Sequence, residues 1–401
     1  MNYRFLNNLF VIIIIICSTS LYSLSMLGSG TKIIELLGVG LIFVLLVLHI
    51  VYASQTKIRH NFTWLILFIF LSLITSMLMA RFSRNQGFTE TLFAQRAIYY
   101  YLFYFLLHQL KIKPEDLERI FIAFGLLHVF LYFVQFFLFP RIIFDVFMLS
   151  DRGTIRIYLK GSDYLAISYF MSIQAFLRTN KIKYLVLILL FFSIFILLGG
   201  RQTMAIMALT LILFIIFSKK VKSRLFIGFL VAVCISLVLV MFQGIFEALI
   251  KQSARDRSLG SDYIRFISAR HFLTDFFRTP VAYITGNGMF SNNSNYGHEI
   301  RRLMMQGYFL GDIGLIGNYA IYGAFFVIGV IGICIKSLIL RIKNNQIYIR
   351  YMFIAIILSL ITGGGFVNSD FICATMCLLY LIDISHYTVT DKSEAATINK
   401  N

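Results

Sequence analysis

Charged residues, proline and tryptophan are all scarce in this chain. Of its 401 residues only 13% are charged, whereas a typical soluble domain has about 25%. There are three prolines and one tryptophan. The sequence also has no long polar stretch from which a separate soluble domain could be built. Together these shortages exclude an ordinary soluble globular protein.

Signals for metal binding and nucleic-acid binding are lacking as well. The five cysteines all lie in apolar stretches and are expected to be small buried hydrophobic residues: Cys17, Cys234, Cys334, Cys373 and Cys377. Cys373 and Cys377 are one helical turn apart, but no histidine or carboxylate completes a metal-ligand set. The net charge is +18, yet no soluble basic domain or nucleic-acid-binding motif accompanies it. We therefore expect no metal, no cofactor and no nucleic-acid partner.

Apolar runs of about 20 residues dominate the sequence. Hydrophobic residues make up 59% of the chain, and the mean hydropathy is +0.83. The runs predict an all-α fold, a polytopic transmembrane helix bundle with about 12 spans. The predicted limits are 5–24, 33–52, 62–80, 92–110, 117–139, 163–177, 184–200, 203–217, 225–245, 308–335, 349–367 and 369–387. Residues 1–390 are interpreted as one transmembrane domain and 391–401 as a cytoplasmic tail. The first run is interpreted as an uncleaved span, since no small-x-small cleavage site follows it.

Basic residues in the short loops orient the predicted bundle. On one side they are Lys57, Arg59, Lys111, Lys113, Arg119, Arg178, Lys181, Lys183, Lys219, Lys220, Lys222, Arg224, Lys336, Arg341, Lys343 and Arg350. The opposite short loops hold only Lys32, Arg81, Arg84 and Arg201. Because positive charge in short loops marks the inner face, we expect a multi-pass protein of the cytoplasmic (inner) membrane with both termini in the cytoplasm.

Arginine is enriched in the two long loops that this map places outside, about 140–162 and 246–306. Long loops translocate largely regardless of charge, so orientation does not require these arginines. By the same map Arg outnumbers Lys on the outer side, and Lys outnumbers Arg on the inner side. A guanidinium binds phosphate through two parallel hydrogen bonds, whereas the ammonium group of Lys acts as a point charge. The bias favours a phosphate-bearing ligand, with ordinary ion pairing as the alternative.

An amphipathic helix is predicted between Ser261 and Thr279 of the second long loop. Its apolar face gathers Tyr263, Phe266, Ile267, Leu273 and Phe277, so we expect the helix to lie on the outer leaflet or over the bundle. Arg265 faces the other way, but Arg270 falls within the apolar stripe. An arginine held there loses water and needs a partner. That partner is a carboxylate, the lipid headgroups or a bound diphosphate.

Turns rich in glycine and arginine supply further candidates. Gly286-Asn-Gly288 permits positive φ and lets the backbone approach a ligand closely, although a flexible outer turn fits the same motif. In the first long loop Arg152 and Arg156 precede Asp163, which starts the next span.

Three more charged residues lie at predicted outer span ends. Arg201 follows two glycines in a very short turn and is either a snorkelling anchor or part of a site. Arg96 is expected to be an anchor. Asp312 either pairs structurally with an arginine or acts as an acid–base group. It lies in a run of small residues suited to tight helix packing, Gly311, Gly314 and Gly317.

At these residues the chain resembles the bacterial O-antigen and polysaccharide polymerase family (Wzy-type), which is related to the O-antigen ligases. Arg156 precedes a Gly-Ser-x-Tyr-Leu-Ala span start, and Leu-Gly-Gly-Arg201 is similar to the family's Ser-Arg-Gly turn. Arg270 lies ahead of Gly-x-Gly, as a loop arginine does in the family. The glycine run around Asp312 resembles the family's Asp/Glu-x-Gly-x-x-Gly helix start. The His-Asn pair of ligase-like members is missing here, where the chain reads Leu303-Met-Met-Gln.

The resemblance implies a membrane glycosyltransferase that polymerises polyprenyl-diphosphate-linked oligosaccharide repeat units on the outer face of a bacterial cytoplasmic membrane. The product would be O-antigen, capsule or exopolysaccharide, and the partners would be membrane lipids, a chain-length regulator and flippase proteins. A sugar hydroxyl attacks the anomeric carbon and the diphosphate leaves, so positioning and charge stabilisation can suffice without a metal. The alternatives are a flippase or exporter of lipid-linked oligosaccharide and an O-antigen ligase.

The expected site has two groups of residues. The catalytic candidates are Arg270, Arg201, Arg156 and Asp312, of which the arginines hold the diphosphate. The substrate-binding candidates are Arg152, Arg265, Gly286, Gly288 and Asp163. Asp312 and Asp163 are also the two candidates for activating the attacking hydroxyl, and neither is preferred from the sequence.

Overall fold

The computed structural model describes residues 3–28, 30–52, 60–151, 154–217, 243–260, 263–361, 363 and 365–398. Within these ranges the chain is mostly helical. The α-helices are α1 (Tyr3–Ser18), α2 (Gly30–Tyr52), α3 (Thr63–Arg84), α4 (Phe88–Ala94), α5 (Phe103–Leu110), α6 (Pro114–Leu138), α7 (Ser162–Thr179), α8 (Ile182–Leu197), α9 (Arg201–Phe217), α10 (Gln243–Ser258), α11 (Ile264–Thr274), α12 (Ala282–Thr285), α13 (Asn295–Met305), α14 (Leu315–Ile339), α15 (Tyr348–Ser359) and α16 (Ser369–Ile398). Short 3₁₀ segments are Ser20–Ser23, Ser25–Leu27, Arg96–Leu102, Leu310–Ile313 and Gly365–Val367.

Length and composition make the chain a helical membrane protein. Five described helices, α2, α3, α6, α14 and α16, contain segments long and apolar enough to cross a membrane. Four shorter helices, α1, α8, α9 and α15, are apolar as well. The predicted ninth span, 225–245, lies outside the described residues except for its last three positions, which belong to α10.

The first long loop contains two strands, which corrects the all-α expectation. β1 (Met148–Asp151) pairs antiparallel with β2 (Thr154–Ile157), with Leu149 opposite Arg156. The β2 sequence Thr-Ile-Arg-Ile contains three β-branched residues, which favour a strand. Tyr132 of α6 donates to the Ile155 carbonyl at 3.3 Å and ties the hairpin to the bundle.

The predicted fourth span, 92–110, is broken rather than continuous. α4, the 3₁₀ segment Arg96–Leu102 and α5 follow one another along it. Tyrosine hydroxyls in this stretch reach outward to other elements. Tyr100 donates to the Glu35 carbonyl at 3.0 Å, and Tyr101 donates to the Phe366 carbonyl at 3.1 Å. Both tyrosines belong to the 3₁₀ segment, and a hydropathy average detects neither this segment nor its hydrogen bonds to other elements.

Other span limits also differ from the prediction, and three of them have a visible structural setting. α1 ends at Ser18 rather than at 24, and the Ser20–Ser23 segment that follows has φ values of 50 to 56°. Side chains with a Cβ rarely adopt this left-handed conformation. α14 begins only at Leu315, whose N–H donates to the Leu360 carbonyl at 2.9 Å just past the end of α15. α16 continues to Ile398, so most of the predicted tail is helical.

The α3 and α14 helices pack against each other through small residues. A Cβ placed on Gly329 would lie 2.7 Å from Ile69 Cγ1, and one on Gly332 would lie 2.5 Å from Leu65 Cδ2. The expected packing glycines near Asp312 pack elsewhere, since a Cβ on Gly314 would lie 2.1 Å from the Leu360 carbonyl oxygen. Close helix packing therefore does occur in α14, but it involves Gly329 and Gly332 against α3 rather than the glycines near Asp312.

A compact polar cluster lies where α5 ends and the chain approaches α3. The rings of His60 and His108 are 4.4 Å apart between centroids. His108 Nε2 lies 3.2 Å from Asp383 Oδ2, and Asn61 Nδ2 donates to Asp383 Oδ1 at 2.8 Å. The Tyr104 hydroxyl donates to the same carboxylate. Burial, followed by the neighbouring His108, lowers the pKa of His60 to about 4.

Candidate functional site

A large cavity of about 1090 Å³ opens at the other end of the bundle, where α2, α7, α9 and α16 begin. Its charged lining residues are Glu35, Arg96, Arg156, Lys160, Asp163, Arg201, Arg265, Asp312 and Asp370. A second part of the wall is apolar and comes from α7, α8, α9 and α15: Ala166, Phe195, Ile206, Met207, Met352, Ala355 and Ile356. We call this space the basic cavity. Five of the nine sequence-predicted site residues line it, namely Arg156, Arg201, Arg265, Asp163 and Asp312.

One buried carboxylate organises a corner of the basic cavity. Glu35 Oε1 lies 2.6 Å from Lys160 Nζ, and its Oε2 lies 2.6 Å from Arg96 Nε. The Ser20 hydroxyl donates to Oε1 at 2.9 Å and is brought there by the left-handed turn after α1. Only 5% of the Glu35 side chain is exposed. Arg96, expected to anchor the chain in headgroups, is instead paired within the protein.

Arg156 is fixed by strand β2 and by a glycine on the neighbouring helix turn. Its Nε donates to the Leu198 carbonyl at 2.8 Å, and its guanidinium lies 5.1 Å from the centroid of the Tyr158 ring. Gly199 has a φ of +59°, and a Cβ there would lie 3.1 Å from Arg156 Cδ. A glycine is therefore needed both for the turn and for this contact. Although Arg156 is 7% exposed, it lines the cavity.

Arg201 and Arg265 add two further guanidinium groups. Arg201 opens α9, forms an ion pair with Asp256 and donates from Nη1 to the Ser253 hydroxyl at 2.7 Å. Both partners lie on α10. Arg265 is half-buried in the first turn of α11 and makes no ion pair within the described ranges. These arginines come from helices far apart in sequence, and only the fold brings them to one wall.

Two carboxylates meet where α7 and α16 begin. The backbone N–H of Gly161 donates to Asp370 Oδ2 at 2.7 Å. Asp163, two residues later, is half-buried and is close enough to Asp370 to interact with it electrostatically. Asp312, by contrast, is exposed on the 3₁₀ segment before α14. The expected pairing of Asp312 with an arginine is not found among the described residues.

Arg270 lies on the loop helix α11, outside the basic cavity. It is exposed on the protein surface and does not line the basic cavity, so the protein does not bury it; the expectation that it is held away from water stays a prediction. The buried face of α11 contains Ser268 and Phe272 and continues to Phe276 beyond the helix end. Phe266, on the predicted packing face, is 65% exposed. Apolar periodicity identifies a face that avoids water, but it does not distinguish protein contact from lipid contact. The catalytic role expected for Arg270 stays a prediction.

The predicted helix limits also change, since α11 runs from Ile264 to Thr274 and its N-cap is Tyr263. Ser261, the expected first residue of the helix, and the candidate Arg152 lie outside the described residues.

The Gly286–Gly288 turn has a packing role that explains its glycines. Asn287 N and Gly288 N donate to the carbonyls of Ala320 and Ile321 at 3.0 and 2.8 Å. A Cβ on Gly286 would lie 2.3 Å from the Ile321 oxygen. The turn thereby satisfies backbone groups that are freed where α14 breaks at Gly323 (φ 76°). Neither glycine lines the basic cavity, so their expected contact with substrate stays a prediction.

Arg84 lies beside this turn as a buried structural cation. Its Nη1 is 2.6 Å from Glu299 Oε1, its Nη2 donates to Asn287 Oδ1 at 3.2 Å, and its guanidinium lies 4.9 Å from the centroid of the Tyr296 ring. Burial raises the pKa of Tyr296. Glu299 also pairs with Arg278 at 2.6 Å. The cluster fixes the second long loop onto the end of α3.

Sequence reasoning missed Glu35, Lys160 and Asp370 in the cavity. Glu35 carried a usable signal, because a carboxylate inside an apolar span is costly unless it has partners. Asp370 had none, since an acid in the first turn of a helix ordinarily serves the helix dipole. No family model matches the chain, and no curated protein matches it either.

Proposed function

We propose that the protein is a membrane glycosyltransferase that polymerises polyprenyl-diphosphate-linked oligosaccharide repeat units on the outer face of a bacterial cytoplasmic membrane. The observation that carries this proposal is the basic cavity, in which guanidinium groups and an apolar wall share one space. In this proposal the bundle has about 12 spans with both termini in the cytoplasm. The cavity then opens outward.

The cations of the basic cavity suit a diphosphate. Arg156, Arg201 and Arg265 face one space from three different elements, and a guanidinium presents paired donors that match phosphate oxygens. Arg156 is additionally oriented by the Leu198 carbonyl and by the Tyr158 ring. Donors fixed before the reaction need no reorganisation as charge develops on the leaving oxygen.

The apolar part of the wall suits a lipid tail. Ile206 and Met207 of α9 face the cavity together with Met352 and Ile356 of α15. A polyprenyl chain entering between these helices would lose contact with lipid and gain equivalent apolar contact. Its diphosphate would then meet the arginines at the cavity mouth. A soluble anionic ligand has no apolar group that could contact this wall. The apolar wall therefore favours a lipid-linked ligand.

The proposed reaction proceeds by displacement at the anomeric carbon of the donor. The acceptor hydroxyl oxygen forms the new bond to that carbon while the bond from the carbon to the diphosphate oxygen breaks. The electron pair leaves with the diphosphate, where Arg156 and Arg201 stabilise the charge. Holding both lipid-linked substrates in one cavity converts a bimolecular encounter into a positioned step.

Reconstitution of the purified full-length protein with lipid-linked repeat units tests this proposal. We expect a ladder of products that differ by one repeat unit, and we expect the Arg156→Ala and Arg201→Ala variants to form it at least about 10²-fold more slowly. Arg255→Ala is the matched control, because Arg255 is exposed on α10 and does not line the cavity.

Other products would assign another function. Transfer of a single glycan to a lipid acceptor without a ladder would identify a ligase. Movement of intact lipid-linked units between leaflets without new glycosidic bonds would identify a flippase. Either result, with the protein monodisperse and folded, contradicts the polymerase proposal.

A further inference from the structure

Two of the four acidic residues that line the basic cavity are already committed to partners. Glu35 is bound by Lys160 and Arg96, and Asp370 accepts the Gly161 N–H. Within the described ranges, Asp163 and Asp312 line the cavity without an ion pair. A carboxylate that is paired with a cation would lose that ion pair on taking up a proton. The carboxylate that accepts a proton during the reaction is therefore expected to be one without an ion pair.

Asp163 and Asp312 differ in what surrounds them. Asp312 is exposed on the 3₁₀ segment before α14. Asp163 is half-buried, and Asp370 acts on it electrostatically. Partial loss of water and a second carboxylate nearby both favour the protonated form of an acid. Asp163 is therefore the better proton acceptor near neutral pH.

The position of Asp370 relative to Asp163 is fixed by a hydrogen bond. Its Oδ2 accepts the Gly161 N–H at 2.7 Å, so a side chain of α16 caps the start of the helix that bears Asp163. Its residue is 8% exposed. The other charged and titratable groups around this corner include Tyr22, Glu35, His128, Arg156, Lys160 and Cys373. Lys160 is paired with Glu35, and Asp370 is the charged residue that acts on Asp163 electrostatically.

We propose that Asp163 is the catalytic base that takes the proton of the acceptor hydroxyl, and that Asp370 is a positioning residue that sets the Asp163 environment. This inference rests on the glycosyltransferase function proposed above. The hydroxyl proton moves to an Asp163 carboxylate oxygen as the hydroxyl oxygen bonds to the anomeric carbon. The electron pair of the broken bond stays on the leaving diphosphate. Asp163 then releases its proton to water through the open side of the cavity.

Initial rates of polymerisation against pH test the assignment in the reconstituted full-length protein. We expect Asp163→Asn to lower the turnover rate by about 10²- to 10⁴-fold, the usual contribution of a general base, with donor binding within about 3-fold of wild type. Asp163→Glu should recover part of the rate, because it restores a base of the same kind. Asp370→Asn should move the acid limb of the profile to lower pH by about one unit, because it removes a neighbouring negative charge.

Asp275→Asn is the control, since Asp275 is an exposed carboxylate that does not line the cavity. An Asp163→Asn variant with a wild-type rate overturns the assignment. Loss of turnover in Asp312→Asn while Asp163→Asn stays active would transfer the role to Asp312. An Asp370→Asn profile with an unshifted acid limb removes the positioning role. A wild-type protein that binds donor yet makes no polymer refutes the glycosyltransferase function itself, and the base assignment fails with it.

Discussion

Lys160 and Glu35 lie 125 residues apart in the sequence, and Lys160 Nζ lies 2.6 Å from Glu35 Oε1. The same carboxylate receives Arg96 and the Ser20 hydroxyl. The Ser369 hydroxyl donates to Oε1 as well, at 3.3 Å, so five separate parts of the chain are joined through one side chain at the edge of the basic cavity. Removal of that side chain should affect the whole corner rather than a single contact.

Replacing Glu35 with Gln should lower the free energy of unfolding by about 3 kcal/mol, because Arg96 and Lys160 keep their charges and lose their counter-ion. The value lies at the low end for a buried pair, since the Lys160 and Arg96 side chains are 34% and 23% exposed. Thermal unfolding in detergent measures the change. The double variant Glu35→Gln with Lys160→Met should recover part of the loss. Equal stability of Glu35→Gln and wild type would show that the network is not stabilising.

Arg201 should be sensitive to the shape of its cation as well as to its charge. Its guanidinium contacts Ser253 and Asp256 together, and a lysine cannot make both contacts with one planar group. We expect Arg201→Lys to retain more donor binding than Arg201→Ala but less than wild type, measured with labelled polyprenyl diphosphate. Unchanged binding in Arg201→Ala would indicate that the residue only anchors α10.

Arg265 and Arg270 form a natural comparison on one short helix. Arg265 lines the basic cavity, whereas Arg270 is exposed and does not line it. We expect Arg265→Ala to weaken donor binding about 10-fold, a typical effect of losing one charge-assisted hydrogen bond, and to exceed the effect of Arg270→Ala. The reverse order would restore the diphosphate role that the sequence suggested for Arg270.

Gly288→Ala should destabilise the protein by about 3 kcal/mol, since it combines a left-handed φ with overpacking. Its Cβ would lie 2.5 Å from Ala80 Cβ and 2.5 Å from the Ser76 carbonyl oxygen. Gly40→Ala is the control, because a Cβ on Gly40 of α2 meets nothing within 4 Å. Alanine there should be neutral or stabilise the helix by up to about 1 kcal/mol. Similar unfolding temperatures for the two variants would contradict the packing role of the turn.

His60 should make the protein less stable in mild acid. Its pKa is lowered from 6.5 to about 4 by burial and by His108, so the unfolded chain takes up the proton before the folded one does. The stabilisation from neutral His60 is complete above about 6.5 and is lost as pH falls towards about 4. The thermal midpoint should therefore decrease over this window. His60→Gln should flatten the slope, whereas His298→Gln, at an exposed position, should leave it as in wild type.

Much of the bundle could be read from hydropathy alone, because an apolar helix in lipid satisfies its own backbone hydrogen bonds whatever surrounds it. Pro114 begins α6, a position that suits proline because the first helical residue needs no backbone N–H donor. The departures occur where other elements supply hydrogen bonds. Tyr100 and Tyr101 bond outward within the broken fourth span, and Leu315 N bonds to Leu360 past the end of α15. No window along the sequence contains both partners of these bonds.

The sequence by itself determined that this is a helical membrane protein with arginine concentrated in two long loops, because composition and local periodicity decide which segments leave water. It also indicated Arg156, Arg201, Arg265, Asp163 and Asp312, which do line one cavity. Only the tertiary structure decided that Arg270 is exposed, that Gly286–Gly288 fills a break in α14, and that Glu35 and Asp370 belong to the site. Those outcomes depend on contacts between residues far apart in the chain. Whether a side chain is buried or ion-paired is decided by which residues the fold brings next to it, and the sequence around that side chain does not contain this information.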